Sequence, residues 1–590
     1  MSPRSDPKWL LERAHQWVRK QTVTRFMSLG SDTPNLVSRT RRLGNVAAPM
    51  RDGVRLMADV YLPNADPHGA SAYPTVLIRL PYSKREAYCY MPAHGRFWAQ
   101  RGYACVIQDV RGRGSSEGHF REYESEAQDG WDTLDWVAQQ SWCNGSIGMV
   151  GESYYGSTQW AVAPLGHPSL KCLAPGDVDP DMYTAWRDGG AFCLGTAGIG
   201  TFEFDARRGT NPGRFDVWHL PLVSSDEAAG RRSAAYRALI EHPSRDGYWD
   251  EINGARHYED IAVPMLHWGG WYDIHVNGTL NGWRNVRTLS RDARTRECQW
   301  LVMGGTDHEL SPEFTGRIGR VPLAHHGFAH DRVREFFDYW LKGEANGYEQ
   351  RPRVQYFTIG LNEWRAADDW PPPGTRIVDY YLGRCGLANS VSGDGTLGFE
   401  PRGDDPPDSY VYDPADPVAF WVGKDIWAGA KTMGTREEVE RRRDVLAFTG
   451  AVLEADLTVT GPIVVELYAA STARDTDFTA ALVDVFPDGG AQLVREGIVR
   501  GRYRESEREP HLLEPGRVYE YRIDLASTSY LFAKGHRLRV EISSSNFDRY
   551  DRNLNTGEPV GTSAAMVEAS QTVLHDSGHP SRIRLPIAPE

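Results

Sequence analysis

The sequence predicts an α/β domain with a mostly parallel sheet, a helical insertion within that domain, and a second domain that is all β. Three observations lead to this prediction. Apolar strand-like runs alternate with helical stretches early in the chain, long strand-like runs are missing from about residue 164 to 262, and short strand-like runs separated by turn signals continue from 348 to the end. The length of 590 residues also exceeds what one hydrophobic core holds.

The first 40 residues are predicted to form an N-terminal helical extension. The stretch "KWLLERAHQWVRK" places Trp9, Leu10, Ala14 and Trp17 at helical spacing between charged residues. Such an amphipathic helix differs from a secretion signal, which has a longer apolar core. Because no run of about 18 apolar residues occurs in the chain, we expect no membrane span.

The first part of the α/β domain is predicted over residues 41–163. It opens with "NVAAPMRDGVRLMADVYLP", two strand-like runs on either side of a turn, and continues with the strands "YPTVLIRLPY", "YACVIQDVRGRG" and "SIGMVGESYYG". Helical periodicity separates these strands, most clearly in "SEAQDGWDTLDWVAQQ". Strands that alternate with helices indicate a parallel sheet covered on both faces.

The insertion is predicted over residues 164–262 and the rest of the α/β domain over residues 263–347. The insertion is rich in aromatic, acidic and glycine residues, and "SSDEAAGRRSAAYRALIEH" has helical periodicity. Strand character returns in "VPMLHWGGWYD" and "CQWLVMGGTDH", and the helix "DRVREFFDYWLKGE" completes the domain. Residues 348–590 contain short strands such as "PIVVELYAAS" and "HRLRVEISSS", which predicts a two-sheet β-sandwich.

Composition and charge argue against several classes of protein. The 79 acidic residues outnumber the 66 basic residues and give a net charge of −13, whereas a general nucleic-acid-binding protein needs a basic face. The seven cysteines are odd in number, scattered and never spaced C-x-x-C, so we expect neither a disulfide framework nor a zinc site. A reducing compartment fits this cysteine usage, and we predict a cytoplasmic protein.

A candidate nucleophile lies in "GMVGESYYGS", where Gly151 and Gly156 flank Ser153. The spacing G-x-S-x-x-G is a weak signal alone, but a strand-like run precedes it and a helical stretch follows it, as in a strand–turn–helix that exposes a serine. Such a serine needs a base, and an acid that orients the base. Asp273 and His308 follow in that order, each directly after a later apolar strand, which predicts a triad with Ser153.

Several motifs in the chain resemble one known family. "MRDGVRLMADVYLP", "PYSK", "QDVRGRGSSEG", "GESYYG", "HPSRDGYW" and "GGWYD", with the all-β tail, resemble the cocaine esterase and α-amino-acid ester hydrolase group (the CocE/NonD type) of the X-Pro dipeptidyl-peptidase superfamily of serine hydrolases. The resemblance covers nearly the whole chain from about residue 43. It implies an α/β-hydrolase domain with an inserted helical cap, plus a C-terminal all-β jelly-roll domain.

The resemblance also implies a role for each candidate site residue. Ser153 would be the nucleophile, His308 the general base and acid, and Asp273 the group that orients His308. Tyr82 matches the tyrosine of the family's "PY" motif, and its hydroxyl would donate to the oxyanion. The backbone N–H of Tyr154 would be the second donor of this oxyanion hole.

The loop that carries the histidine departs from the family pattern. From Gly304 to His308 it reads "GGTDH", whereas the family often has G-P-W-x-H, so a tryptophan is missing from the pocket wall. Asp307, which directly precedes His308, is a second candidate for the orienting acid. Because adjacent residues in a loop usually point apart, Asp273 remains the predicted acid.

The predicted function is that of a serine hydrolase that cleaves a small-molecule ester or amide through an acyl-enzyme, with no metal and no organic cofactor. Aromatic residues, Trp186 and Phe192 in the cap and Trp271 beside the acid, are predicted to bind the substrate. Three alternatives stay open: an acyltransferase or lactone-forming enzyme with the same triad, an X-Pro dipeptidyl-peptidase-like aminopeptidase, and a non-catalytic ligand-binding protein. We expect no nucleic-acid partner, and the broad faces of a β-sandwich leave a homo-oligomer open.

Overall fold

The structure is a computed structural model, and it describes residues 39–64, 71–85, 89, 91–204, 215–254, 256–323, 330–419 and 436–589. The helical extension predicted for residues 1–40 therefore lies almost entirely outside the described residues. In the described part of the chain, no helix is both long enough and apolar enough to cross a lipid bilayer.

Fourteen strands precede the C-terminal all-β part. They are β1 (Thr40–Pro49), β2 (Arg55–Pro63), β3 (Tyr73–Leu80), β4 (Ala104–Asp109), β5 (Cys143–Glu152), β6 (Leu170–Gly176), β7 (Arg187–Asp188), β8 (Ala191–Phe192), β9 (Met265–Gly270), β10 (Gln299–Gly304), β11 (Arg317–Ile318), β12 (Val321–Pro322), β13 (Val354–Thr358) and β14 (Glu363–Ala367).

The helices of the described residues lie mainly between these strands. They are α1 (Met91–Gln100), α2 (Glu126–Ala138), α3 (Ser153–Val162), α4 (Met182–Trp186), α5 (Ile199–Phe204), α6 (Ser225–Ala228), α7 (Ala234–Glu241), α8 (Gly247–Ile252), α9 (Val276–Leu289), α10 (Ala293–Glu297), α11 (Ser311–Thr315), α12 (His330–Lys342) and α13 (Glu437–Glu440). Single 3₁₀ or π turns occupy Ala163–Leu165, Leu194–Gly198, Leu222–Ser224, Tyr258–Asp260, Tyr348–Gln350 and Gly501–Tyr503.

A ten-stranded sheet forms the centre of the N-terminal part, in the order β1-β2-β4-β3-β5-β6-β9-β10-β13-β14. The strands from β4 to β13 in this order pair in parallel, whereas β1, β2 and β14 pair antiparallel at its two sides. β4, β9 and β10 are buried at every position, which is typical of parallel strands covered on both faces. The ends of β5, β6, β9 and β10 meet at one side of the sheet, which we call the carboxyl edge.

Two runs of the chain lie in a different place from the one predicted. Residues 164–262 are predicted to form the helical insertion, yet β6 within this range pairs with β5 and β9 at the centre of the sheet. β13 and β14 also belong to this sheet, although they follow the predicted boundary at residue 348. β6 and β13 are short and mostly apolar, and the position of such a strand depends on pairing partners that local periodicity does not identify.

The cap consists of short helices and the β7–β8 hairpin between β6 and β9. The stretch "SSDEAAGRRSAAYRALIEH", predicted as helical, forms two short helices, α6 and α7, because Gly230 adopts a φ of +90° between them. Aromatic residues fill the centre of the cap, among them Tyr183, Trp249 and Tyr236. The backbone of Phe192 exchanges two hydrogen bonds with Asp551 of the C-terminal part, over 2.8 and 2.9 Å.

The C-terminal part is all β apart from short helical turns. Its strands are β15 (Arg376–Arg384), β16 (Gly395–Gly398), β17 (Asp408–Tyr412), β18 (Leu446–Gly450), β19 (Leu457–Ser471), β20 (Asp477–Val485), β21 (Ala491–Arg500), β22 (Tyr519–Phe532), β23 (Arg537–Ser543), β24 (Ala569–Leu574) and β25 (Arg582–Ile587). Ten of them run in the order β17-β24-β19-β25-β15-β16-β18-β23-β20-β21, and β22 pairs with β19. Nearly all pairs are antiparallel, with β16 and β18 as a parallel pair.

The two parts of the molecule share a hydrophobic core that begins just after β9. Trp271 is fully buried and stacks on Trp370 with ring centroids 5.0 Å apart. The guanidinium of Arg495 in β21 donates to the backbone carbonyl of Trp271. The next residue, Tyr272, donates its hydroxyl to the carbonyl of Leu493 over 3.3 Å. The C-terminal all-β part, which we call the β-domain, therefore holds the segment that follows β9.

Candidate active site

Ser153 occupies the turn between β5 and α3. Its φ of +55° lies in the left-handed region, which a residue with a side chain adopts where the surrounding structure holds it there. Its backbone N–H donates to the carbonyl of Asp177 over 3.2 Å, which ties the turn to the adjacent strand β6. The residue is partly exposed, so this strained turn presents a hydroxyl at the carboxyl edge.

The two glycines of the G-x-S-x-x-G motif make this turn possible. Gly151 has a φ of +151°, and a Cβ at this position would lie 2.0 Å from the ring of Tyr155. A Cβ at Gly156 would lie 2.9 Å from the side chain of Val178. Glycine at both positions therefore lets α3 pack closely against the ends of β5 and β6.

Tyr82 follows β3 and lies beside the candidate nucleophile. Its hydroxyl is 3.2 Å from Oγ of Ser153, and its ring contacts Tyr155 edge to face at 6.1 Å. Two residues further on, the buried Lys84 donates its backbone N–H to Asp109 over 2.7 Å and its ammonium to the same carboxylate. The end of β4 therefore anchors the loop that carries Tyr82.

The backbone N–H of Tyr154 lies in the first turn of α3, where N–H groups have no acceptor within the helix. Its side chain is held among other residues: the hydroxyl donates to Glu126 over 3.0 Å and accepts from the N–H of Tyr123 over 3.0 Å. The rings of Tyr154 and Tyr123 also stack at 4.6 Å. With the side chain fixed in this way, the N–H keeps a defined position next to Ser153.

Asp273 and His308 meet at the ends of β9 and β10. Nδ1 of His308 lies 2.6 Å from one carboxylate oxygen of Asp273, and the other oxygen accepts from the N–H of His275 over 2.6 Å. Burial opposes charge on both groups, but their mutual attraction and hydrogen bond outweigh it. The pKa of His308 is therefore raised and the pKa of Asp273 is lowered. The pair favours an imidazolium beside a carboxylate.

Asp307, the second candidate acid, contacts the start of the next helix. Its carboxylate accepts from the backbone N–H of Ser311 over 2.8 Å and also from the hydroxyl of Ser311, at the beginning of α11. These two bonds anchor the helix start, whereas the carboxylate 2.6 Å from His308 is that of Asp273. Asp307 therefore anchors α11, and Asp273 is the acid that contacts His308.

The three aromatic residues predicted to bind substrate lie in different surroundings. Trp186 packs edge-on against His275 at 5.7 Å, and His275 packs against His308 at 5.6 Å, so the cap reaches the triad through this pair. Phe192 is fully buried in the core of the cap. Trp271 is fully buried in the core shared with the β-domain. Large rings fill cores as well as pockets, and sequence position does not separate the two.

Two further polar residues lie next to the triad, and each is a close neighbour of a triad residue in the sequence. His275 is buried, its Nδ1 has no hydrogen-bond partner among the described residues, and burial lowers its pKa to about 4. It is therefore neutral near pH 7. Glu152 directly precedes Ser153 and accepts from the hydroxyl of Tyr155 over 2.7 Å, and burial raises its pKa. In the sequence, Glu152 directly precedes Ser153 and His275 follows Asp273 by two residues. This closeness to the candidate triad is the signal by which both residues could be identified.

One group of side chains among the described residues has the composition of a metal site, and it contains none of the candidate triad residues. His257 is 3.9 Å from both Glu259 and Asp260, and all three lie at the surface. Arg291 pairs with both carboxylates. These exposed ion pairs explain why His257, Glu259 and Asp260 lie close together.

Two family models match the chain in succession. The model described as X-Pro dipeptidyl-peptidase (S15 family) matches residues 52–309, and the model described as X-Pro dipeptidyl-peptidase C-terminal non-catalytic domain matches residues 346–584. The predicted division into an N-terminal catalytic part and a C-terminal all-β part is confirmed.

Individual proteins are similar over the full length. The chain is 38% identical to the cocaine esterase of Rhodococcus sp. (strain MB1 Bresler) over 571 residues, which cover 92% of this chain and 98% of that protein. A solved α-amino acid ester hydrolase, labelled with selenomethionine, superimposes with a TM-score of 0.79 and 27% identity over 95% of this chain and 98% of that one. An aminopeptidase from the marine sediment archaeon Thaumarchaeota archaeon gives 0.80 and 27% over 95% and 99%. All three similarities extend over both parts of the molecule.

Proposed function

Because this chain belongs to the cocaine esterase and α-amino-acid ester hydrolase group of the X-Pro dipeptidyl-peptidase (S15) family, and is therefore an ester hydrolase, we propose that it cleaves carboxylic esters or amides through an acyl-enzyme on Ser153. In this proposal His308 is the general base and acid, and Asp273 orients it. Tyr82 and the N–H of Tyr154 form the oxyanion hole.

The first half of the reaction would form the acyl-enzyme. Oγ of Ser153 attacks the carbonyl carbon of the substrate while His308 takes the hydroxyl proton. The negative charge that develops on the carbonyl oxygen is stabilised by hydrogen bonds from the hydroxyl of Tyr82 and the N–H of Tyr154. The imidazolium then gives its proton to the leaving alcohol or amine as the bond to the carbonyl carbon breaks.

The second half would release the acid. A water molecule gives a proton to His308 and attacks the ester carbonyl of the acyl-enzyme, through the same oxyanion hole. The bond between the carbonyl carbon and Oγ of Ser153 then breaks, His308 returns the proton to Oγ, and the free acid leaves the regenerated enzyme. The contact of Asp273 with Nδ1 holds the imidazole in the tautomer whose Nε2 accepts a proton, and it stabilises the imidazolium formed twice per turnover.

We also propose that the N-terminal part is an α/β-hydrolase domain with a helical cap and that the C-terminal part is a jelly roll. In support of the first, Ser153, Asp273 and His308 follow three strands of one parallel sheet in the chain order Ser, Asp, His. In support of the second, the C-terminal strands pair almost entirely antiparallel with non-sequential neighbours.

The observation that carries the proposed function is the geometry at Ser153. A serine at a φ of +55° between a parallel strand and a helix, with a tyrosine hydroxyl 3.2 Å from its Oγ, has the conformation of an exposed nucleophile next to a hydrogen-bond donor.

Intact-mass spectrometry after treatment with a fluorophosphonate tests the proposal. We expect one adduct on the native chain and none on Ser153→Ala, with kcat for an acyl ester lower in the variant by at least about 10⁴-fold. Ser157→Ala, one turn along α3, is the matched control and should label like the native chain. Labelling of Ser153→Ala, or no labelling of the native chain, would contradict the proposed nucleophile.

A substrate panel would then define the acyl group and the leaving group. The names of similar proteins suggest cocaine, an α-amino acid ester and a peptide with a free amino terminus as its first members. Adding an alcohol or amine acceptor to the best ester tests acyl transfer, because a transferase would form a new ester or amide in place of the free acid.

A further inference from the structure

Asp177 is the first residue after β6, and β6 lies between the strands that lead to two of the triad residues. β5, on one side, leads to Ser153, and β9, on the other side, leads to Asp273. Asp177 therefore lies at the carboxyl edge between the nucleophile and the orienting acid. No motif of the sequence singles it out.

Three hydrogen bonds join Asp177 to both neighbouring strands. Its carbonyl accepts from the N–H of Ser153 over 3.2 Å. Its N–H donates to the carbonyl of Trp268 over 2.8 Å, and its side-chain Oδ1 accepts from the N–H of Gly270 over 3.0 Å. Asp177 thus contacts the Ser153 turn on one side and the end of β9 on the other. The contact with β9 is at Gly270, three residues before Asp273.

The backbone around Asp177 is shaped for these contacts. Its φ of +41° lies in the left-handed region, which aspartate and asparagine tolerate better than most residues with a side chain. A Cβ on Gly269 would lie 3.1 Å from Oδ1 of Asp177, and a Cβ on Gly270 would lie 2.2 Å from the carbonyl of Thr306. Glycine at position 269 therefore leaves room for the carboxyl group at the end of β9, and glycine at position 270 leaves room for the backbone of Thr306.

The second carboxyl oxygen indicates the charge of the group. Asp177 is fully buried, and its Oδ2 has no hydrogen-bond partner among the described residues. An ionised carboxylate at such a place would be both desolvated and repelled by the charge of Asp273. Burial is the largest cause that raises the pKa of Asp177 well above its usual value, and the charges of Asp273 and Glu152 raise it further. The hydrogen bond from the N–H of Gly270 acts in the opposite direction and lowers this pKa.

We propose that Asp177 is a positioning residue that fixes the Ser153 turn relative to the Asp273 turn, and that it acts as a neutral carboxyl group. Asp273 is then the anion that orients His308, and Asp177 supplies geometry without adding a second negative charge. This inference rests on the proposed function, because it explains what fixes the distance between Ser153 and Asp273, two residues that act together in that mechanism.

The test compares Asp177→Asn with Asp177→Gly. Asparagine keeps the side-chain acceptor for the N–H of Gly270 and tolerates the left-handed conformation, so we expect kcat within about threefold of native and an unchanged pH dependence. Glycine keeps the conformation but removes the carboxyl group. We expect Asp177→Gly to lower kcat about 10- to 100-fold with little change in KM, since a small displacement of reacting groups has effects of this size.

Asp179→Asn is the matched control. Asp179 is also buried, but its carboxylate accepts from Thr184 over 2.9 Å and from the N–H of Asp181 over 2.8 Å, both at the start of the cap. We expect this variant to keep the native kcat and pH dependence. Circular dichroism and thermal melts of all variants separate loss of positioning from loss of folding.

Two results would overturn the inference. A loss of more than about tenfold in Asp177→Asn, or a shift of the acidic limb of its pH profile, would mean that the carboxyl group acts as an anion. A native kcat in a folded Asp177→Gly variant would mean that it positions nothing. If the glycine variant does not fold, the pH profile of Asp177→Asn still decides between the neutral and the charged carboxyl.

Fluorophosphonate labelling of the native chain keeps this test separate from the test of the proposed function. If the native chain does not label, the proposed nucleophile fails whatever the Asp177 variants do. If it labels and the folded Asp177→Gly variant labels at the native rate, only the positioning role fails. Slower labelling of Asp177→Gly, restored by Asp177→Asn, supports both.

Discussion

Two clusters of buried acids in this molecule differ in the cation that balances them. In the β-domain, the guanidinium of Arg500 donates to Asp477 over 2.8 and 2.9 Å and to Asp551 over 2.9 and 3.0 Å. At the carboxyl edge, Asp273 pairs instead with His308 at 2.6 Å. Both clusters are almost completely shielded from solvent.

The cation determines what each cluster can do. Arginine stays protonated throughout the range of pH in which proteins work, so the Arg500 cluster is a fixed element of structure. Histidine gains and loses its proton near neutral pH, so the pair of His308 and Asp273 can take part in proton transfer. A buried acid whose partner always stays charged can contribute to stability, whereas a buried acid whose partner titrates can contribute to proton transfer.

Removing the acid from the titrating pair has the largest expected effect. We expect Asp273→Asn to lower kcat about 10⁴-fold, because the amide favours the wrong tautomer of His308 and does not stabilise its cation. Asp307→Asn, the neighbouring acid that anchors α11, should remain within about tenfold of native. Steady-state kinetics on one ester measures both, and equal losses would mean that the wrong acid has been assigned.

Removing the fixed cation tests the other cluster. We expect Arg500→Met to lower the free energy of unfolding by about 3–5 kcal/mol, because it leaves buried carboxylates without their partner. The loss should be smaller at pH 5 than at pH 8. Burial already raises the pKa of Asp477 to about 6, and protonated carboxyl groups do not need a cation.

Urea unfolding at the two pH values measures this loss. Arg517→Met, which breaks an exposed pair with Glu514, is the control and should leave the unfolding midpoint unchanged. A loss for Arg500→Met that grows as the pH falls would contradict the assignment of the cluster as paired charges.

The proposed oxyanion hole differs from both clusters, because its neutral donor acts on charge that exists only in the transition state. We expect Tyr82→Phe to lower kcat about 10²- to 10³-fold with little change in KM. Tyr155→Phe keeps the ring that packs against Tyr82 and removes only the hydrogen bond to Glu152, so a change of less than about tenfold is expected. A larger effect from Tyr155 than from Tyr82 would argue against the assigned donor.

The smallest expected effect is a shift in pH dependence. Since His308 must be neutral to accept a proton, kcat/KM should fall as the pH decreases through its pKa, and because the contact with Asp273 raises that pKa, the midpoint should lie at a higher pH than for an ordinary histidine. In Asp273→Asn the loss of the neighbouring charge should move the residual acidic limb to lower pH. In Arg500→Met, measured where the variant is folded, the limb should not move.

The sequence predicts those parts of the fold that have strong local periodicity. The alternation of strands and helices, the β-rich tail and the order Ser, Asp, His all follow from patterns within short windows. The place of β6 and of β13 does not, because each is a short apolar run whose sheet is determined by distant pairing partners. The predicted cap helix is divided into two because Gly230 adopts a left-handed conformation. Glycine allows this conformation and helical ones alike, so the sequence alone does not predict the break.

Prediction of the site has a similar limit. The triad candidates and Tyr82 are recognisable because each belongs to a motif or ends a strand. Asp177 ends a strand too, but its contacts with Ser153 and Gly270 depend on β6 lying between β5 and β9, which is a property of the sheet. Whether an aromatic ring such as Trp271 lines a pocket or fills a core depends on what packs around it.

The bonds from β21 to the residues after β9 have a consequence for engineering. Arg495 donates to the backbone carbonyl of Trp271, and the carbonyl of Leu493 accepts from the hydroxyl of Tyr272, so both domains shape the segment that leads into Asp273. The gap between the two family models is therefore a poor site for recombination. A chimaera that exchanges the β-domain for that of a relative needs the matching partners of these two aromatic residues transferred with it, and a library that shuffles complete interfaces should yield more active members than one that shuffles domains.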